Sequence, residues 1–166
     1  MSFLKATGIG STVALATLTT LLTCTTPAGA AEPTPARSEA ELTLVAKTTG
    51  HTIVDIADDG TIDAGDYVVF TDDLYDEDDN RVGNAGTICT LISEDHNGEA
   101  QCTFTFRSEH GDITATSLSH GIMSNRPKNF DAAITGGTGS YSGVAGDIHG
   151  HAENASEVTL EFHIKF

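Results

Sequence analysis

The sequence predicts an all-β, single-domain protein whose antiparallel strands close into a barrel, with a two-sheet sandwich as the alternative architecture. Three observations carry this. From Leu42 onward, short runs alternate apolar and polar residues with period two, and no segment has a convincing helical period. Turn-forming clusters separate these runs: DDG at 58–60, DEDDN at 76–80, DHNGE at 95–99 and EHGD at 109–112. Gly143 and Gly146 interrupt an otherwise good strand, where glycine marks a bulge, a corner or a close backbone approach, and small barrels need such corners.

In chain order, residues 1–31 read as a secretory signal. Lys5 precedes an uncharged stretch from Ala6 to Thr26, and the small residues Ala28 and Ala30 suit cleavage after Ala30 or Ala31. Leu21-Leu22-Thr23-Cys24 roughly resembles a lipobox, so a lipoprotein anchored at Cys24 is the minor alternative. Thr23 is a poor residue before a modified cysteine, and the threonine-rich run is weakly hydrophobic for a span. Secretion, with no membrane partner after cleavage, is the expectation. Residues 32–41 form a polar, proline-containing flexible lead-in, and residues 42–166 the barrel domain. About 135 residues remain after cleavage, enough for one core.

The candidate strands are Leu42–Thr48, His51–Ala57, Asp66–Asp72, Gly86–Glu94, Ala100–Ser108, Asp112–Leu118, Asn129–Ile134, Tyr141–His151 and Glu157–Phe166. In the last, Val158, Leu160, Phe162, Ile164 and Phe166 share a face opposite Glu157, Thr159, Glu161, His163 and Lys165. Cys89 and Cys102 are the pair left after the signal and read as a disulfide, as expected of an exported chain. A tight two-residue turn at Asn97-Gly98 would instead put Cys102 opposite Ser93, so the bridge demands a longer loop. Cys102 shares its face with Phe104 and Phe106, placing the bridge on the core side.

The chain carries 24 acidic against 8 basic residues, a formal charge of −16. Such a field repels nucleic acid and anionic membranes, and excludes both as partners. The glycine-rich stretch from Ile134 to Gly146 is no phosphate cradle, because no GK[ST] follows and the next residues read as strand. His149-Gly150-His151, with His163 on the last strand, has zinc-ligand chemistry. These side chains fall on charged faces beside Asp147, though, so the reading is a solvated outer wall and no metal. Asp76-x-Asp78-x-Asn80 begins like a calcium loop, yet Arg81 stands where glycine is needed and Thr87 where glutamate is needed, which favours an ordinary acidic turn. Gly139-Ser140-Tyr141-Ser142-Gly143 centres a tyrosine, not a nucleophilic serine.

Two segments carry a resemblance. The pattern built from Asp131, Gly136, Gly137, Thr138, Gly139, Tyr141, Gly143 and Gly146 resembles the glycine-rich signature of allene oxide cyclases and dirigent proteins. VVFTDDLYDEDDNRVG, from Val68 to Gly83, is similar to the matching hairpin of that superfamily, above all in bacterial members such as the spirotetronate and spirotetramate cyclases. The resemblance implies an eight-stranded barrel that needs no cofactor. Its lumen would bind an elongated, apolar small molecule and guide cyclisation or isomerisation by selecting a near-attack conformer. Relatives commonly form dimers or trimers through outer faces. Plant dirigent proteins usually carry arginine where Ala145 stands, so phenoxy coupling is disfavoured. The lumen candidates are Phe70, Phe104, Phe106, Tyr141 and Ile148, with His120 and Arg126 as polar groups at a barrel mouth. The strand after Gly146 offers only Ile148, Gly150 and Ala152 inward, and no acid or base is evident among the inward positions. The rival reading is therefore a non-catalytic secreted binding or scaffold barrel with a filled core.

Overall fold

The computed structural model describes residues 38–93, 98–122 and 128–166. The signal reading for residues 1–31 and the candidate Arg126 lie outside the described residues. Eight antiparallel strands form a closed barrel: β1 (Glu39–Val54), β2 (Tyr67–Tyr75), β3 (Arg81–Leu91), β4 (Glu99–Ser108), β5 (Gly111–His120), β6 (Phe130–Gly137), β7 (Ala145–Asn154) and β8 (Glu157–Lys165). Each strand pairs with the next, and β1 pairs with β8. The barrel, not the sandwich, is the architecture.

Alternation places the core as expected. In β4, Ala100, Cys102, Phe104 and Phe106 are buried, while Gln101, Thr103 and Arg107 are exposed. In β8, Leu160, Phe162 and Ile164 point inward, and Phe166, expected to join them, lies beyond the strand and is exposed. Burying a side chain such as Phe162 stabilises the fold by roughly 1.5–3 kcal/mol.

Several strand ends shift by a few residues, β2 running on to Tyr75 and β3 beginning at Arg81 rather than Gly86, and two further differences change the connectivity. Leu42–Thr48 and His51–Ala57 are one strand, β1, which begins at Glu39 and so takes residues 39–41 from the expected lead-in. Thr49-Gly50, the gap between those two expected strands, is a bulge, pinned where the Thr49 hydroxyl donates to the Thr71 carbonyl oxygen at 3.0 Å. The bulge lets β1 pair with β8 along residues 39–47 and with β2 along residues 45–54. The strand expected over Tyr141–His151 starts at Ala145, and Gly143 lies in the connection before it. A 3-10 turn, Gly139–Tyr141, occupies the preceding residues.

The glycine-rich signature is structural. Thr138 N–H donates to the Asp112 carbonyl, Asp112 N–H donates to Thr138 Oγ1, and Ser140 N–H donates to the His110 carbonyl. These bonds staple the β6–β7 connection onto the β4–β5 hairpin. Gly146 has φ +141°, and a Cβ there would collide with the His163 carbonyl oxygen of the neighbouring strand. Asp131, the first residue of the signature, faces outward.

Cys89 and Cys102 sit directly opposite on β3 and β4, with Cα atoms 4.0 Å apart, and are joined by a disulfide. The pairing of the flanking strands is incompatible with a two-residue turn at Asn97-Gly98. The last paired residues are Leu91 and Ala100, and Ile92 N–H donates to the Glu99 carbonyl at 2.9 Å, leaving the longer connection that the bridge demands. The Asp76–Asn80 turn is closed by its own donors, because Asp76 accepts from Asp78 N–H, Asn80 N–H and the Asn80 amide. Those contacts make it an Asx-type turn.

Replacing both Cys89 and Cys102 by alanine is expected to cost about 3 kcal/mol of unfolding free energy, since the bridge closes a loop of separation 13. Guanidinium melts of the wild type with and without reductant check the same quantity. Gly146→Ala is expected to cost about 2 kcal/mol or more, read as a fall in melting temperature without change in the low-denaturant circular dichroism spectrum.

Candidate functional site

The inward side chains divide the lumen into two chambers. One, of about 410 Å³, is bordered by the upper part of β1, the first half of β2, and the ends of β5, β6 and β7. The other, of about 400 Å³, lies at the opposite end, beneath Arg107–His110 and Tyr141. Phe106 borders both and meets Phe162 edge to face, with ring centroids 5.0 Å apart. That pair forms the waist, so the lumen is neither one continuous cavity nor a filled core. Either chamber falls within the volume range of small-molecule sites, ~300–1,000 Å³.

The first chamber has the richer wall. Phe104 and Phe106 project inward two residues apart on β4, as the strand period dictates, and their rings stack with centroids 6.0 Å apart and planes within 5°. Phe130 opens β6 and extends the ladder, 5.2 Å from Phe104 and also within 5°. Phe130 pairs with Gly150 on β7, and a Cβ at Gly150 would occupy the space of the Phe130 ring. The glycine thus makes the third rung of the ladder.

Two strands away from β4, β2 presents Val68, Phe70 and Asp72 to the same chamber. The β1 bulge resets the inward parity, so Thr48 before it and His51 after it both border the chamber. Thr48 Oγ1 donates to Asp72 Oδ1 at 2.7 Å, and His51 stacks on Phe70 at 6.3 Å. Burial holds the Asp72 carboxyl above its ordinary range. The Thr48 hydroxyl opposes this, and the neighbouring Asp73 charge adds to it, leaving the net direction upward. Asp72 is thus a carboxyl suited to donate or accept a proton beside an apolar surface.

The expected lumen residues separate into three groups. Phe70, Phe104 and Phe106 meet in the first chamber, and His120 stands on its wall with Nδ1 3.3 Å from Glu99 Oε1. Tyr141 borders the second chamber, because the 3-10 turn carries it to the stapled end. Ile148 is fully buried but borders neither chamber, since it pairs with Phe162 at the waist, where the barrel is filled. Asp72, Thr48 and His51 were not among the expected site residues. Inward alternation of Val68, Phe70, Asp72 and Leu74 was the signal that could have placed Asp72. Asn154, which ends β7, also borders the chamber, so that strand is less mute than Ile148, Gly150 and Ala152 imply.

Closure, the two chambers and a desolvated carboxyl define a cavity-bearing β-barrel. The chain belongs to the family of the allene oxide cyclase barrel like domain, whose model matches residues 45–162. Among solved structures it is similar to a pyocyanin demethylase, at 27% identity over 75% of this chain and 99% of that one, with a TM-score of 0.64. It is similar in fold to the Diels Alderase AbmU from Streptomyces koyangensis, at 13% identity over 78% of this chain and 68% of that one, with a TM-score of 0.56. The pterocarpan synthase dirigent protein GePTS1 shares the fold at 21% identity, covering 81% of this chain and 87% of that one, with a TM-score of 0.51. Comparison with curated proteins gives no match.

The raised Asp72 carboxyl has a stability consequence. A carboxyl whose folded-state value lies above its unfolded value favours the fold while protonated and loses that contribution as pH rises and it ionises. Asp72→Asn is therefore expected to melt above wild type at pH 7. The gap should shrink as pH falls towards the ordinary carboxylate value of about 4 and be lost below it. Thermal melts across pH 3–8 measure this, and an Asp72→Asn variant less stable at pH 7 would contradict it.

Proposed function

We propose that the chain is a secreted enzyme that takes a flat, largely apolar conjugated molecule into its first chamber. The substrate class is a polyene, polyketide or lipid-derived compound, and the reaction a cyclisation or isomerisation that needs no cofactor. The observation that carries this reading is the Asp72 carboxyl in a chamber walled by three near-parallel phenyl rings. The ladder favours a substrate that stacks, and holding it extended against a flat wall lowers the entropic part of the barrier. Asp72 supplies the chemistry: as carboxylate it removes a proton adjacent to a carbonyl, and as the resulting acid it returns that proton elsewhere on the substrate. The product is then an isomer of the substrate, with Asp72 restored. Thr48, donating to Oδ1, fixes which oxygen faces the ligand.

The comparisons support an enzymatic reading. One structural neighbour is named as a demethylase of pyocyanin, and another as a Diels Alderase. Secretion is supported by the leader-like first 31 residues and by a disulfide of the kind that persists in oxidising compartments. The scaffold reading draws on one observation, the waist filled by Phe106 and Phe162, but the chamber above it leaves room for a ligand.

The test pairs binding with turnover. The neutral apolar fluorophore N-phenyl-1-naphthylamine is expected to bind the full chain saturably, and Ala152→Phe, which fills the chamber, to weaken it at least about tenfold. Against conjugated polyenes, polyketide analogues and pyocyanin, product formation followed by mass spectrometry should fall about 100-fold or more in Asp72→Asn while fluorophore affinity holds. Binding that Ala152→Phe leaves unchanged would return the molecule to the scaffold reading. Turnover that Asp72→Asn leaves unchanged would remove the carboxyl from the mechanism.

A further inference from the structure

We propose that Asp147, His149 and His163 form a site on the outer barrel wall for an imidazole-preferring divalent transition metal, with zinc as the representative ion. The inference is independent of the chamber and its chemistry. Strand register assembles the group. Asp147 pairs directly with His163 across β7 and β8, and Asp131 pairs directly with His149 across β6 and β7. Asp147 and His149 lie two residues apart on β7 and so share its outward face. One ligand atom from each of Asp147, His149 and His163 falls within 4.8 Å of the others.

The contacts among these groups are satisfied either by a protonated His149 ring or by a bound cation. Asp131 Oδ1 lies 2.5 Å from His149 Nδ1, and Asp147 Oδ2 lies 3.0 Å from His149 Nε2. A neutral imidazole has one N–H. If Asp131 takes it at Nδ1, the Nε2 lone pair faces a carboxylate oxygen, and two acceptors confront each other at hydrogen-bond distance. The same Asp147 oxygen lies 3.0 Å from His163 Nδ1. A metal held by His149 Nε2, His163 Nδ1 and Asp147 Oδ2 removes the conflict without charging either ring.

The two contacts to Asp147 fit a metal with little movement. Zinc–nitrogen distances of about 2.0–2.1 Å and zinc–oxygen distances of about 2.0–2.2 Å put tetrahedral donors about 3.3–3.4 Å apart, so each 3.0 Å contact opens by a few tenths. Asp131 then holds the far nitrogen of His149 and fixes its tautomer, an arrangement that supports metal-bound histidine. Two imidazoles and one carboxylate suit zinc or copper better than calcium. His149 and His163 side chains are 38% and 41% exposed, so an ion can enter from solvent and a fourth position stays open to water. Glu161, directly opposite His149, adds to the negative field that attracts a dication. Bound metal would tie β7 to β8 and, through Asp131, reinforce β6, the shortest of the eight strands.

Cobalt titration of the metal-stripped full chain tests the site. One equivalent of Co²⁺ is expected to bind with visible d–d absorption and to be displaced by Zn²⁺, and excess Zn²⁺ should raise the melting temperature by at least about 4 °C. His149→Ala and His163→Ala should each abolish binding, Asp131→Asn should weaken it about 10- to 100-fold, and His151→Ala should leave it unchanged. His149→Gln and His163→Gln, checked by circular dichroism, separate lost ligation from lost folding. No saturable binding by 1 mM Co²⁺, or binding retained in both glutamine variants, overturns the site. Loss of binding in His151→Ala with retention in His163→Gln assigns the ion to the His149–His151 pair and overturns it equally.

Discussion

Everything in this molecule depends on β1 pairing with two strands at once. A sheet closes only if its first strand finds its last, and here the lower part of β1 joins β8 while the upper part continues along β2. The bulge at Thr48–Gly50 is where the two demands meet. Without it, β1 would keep a single inward parity, and Thr48 and His51 could not both face the chamber that holds Asp72. Closure removes the exposed edges on which an open sheet would aggregate, and it fixes how many side chains share each level of the lumen.

Filling follows level by level. At the middle, Phe162, Ile148 and Phe106 use up the cross-section, and both chambers are what remains above and below. In the upper one, burial perturbs the Asp72 carboxyl, the one carboxylate among the described residues that border it, while the acidic group of the Asp76 turn is held by backbone donors. Chemistry and packing are therefore not separable here. The rings that could orient a flat molecule belong to the same apolar wall that desolvates the carboxyl.

Much of this is legible in the sequence, and the exceptions have identifiable causes. Alternation in β4 and β8 reveals which side chains are inside, and the cysteine pair implies the loop length between β3 and β4 before any coordinates. Thr49-Gly50 misleads as a gap between two strands, because only the partner strand reveals the bulge there. Asp72 is hidden by its neighbours: within an acidic run it reads as solvated, although it lies in phase with Val68, Phe70 and Leu74. Tyr141 and Ile148 fail as chamber residues for different reasons, one carried to the other end by a 3-10 turn and one consumed by the waist. The pairing of Asp147 with His163 and of Asp131 with His149 is invisible without register, since nothing local in the sequence says which residues stand side by side.

The waist has a kinetic meaning as well as a structural one. Phe106 and Phe162 narrow the lumen at mid-height, so the direct way into and out of the upper chamber is the rim at its own end. On the proposed function, substrate and product would share that rim, and product release would be a natural bottleneck for turnover. A molecule of this shape works as a cup, emptied before it is refilled.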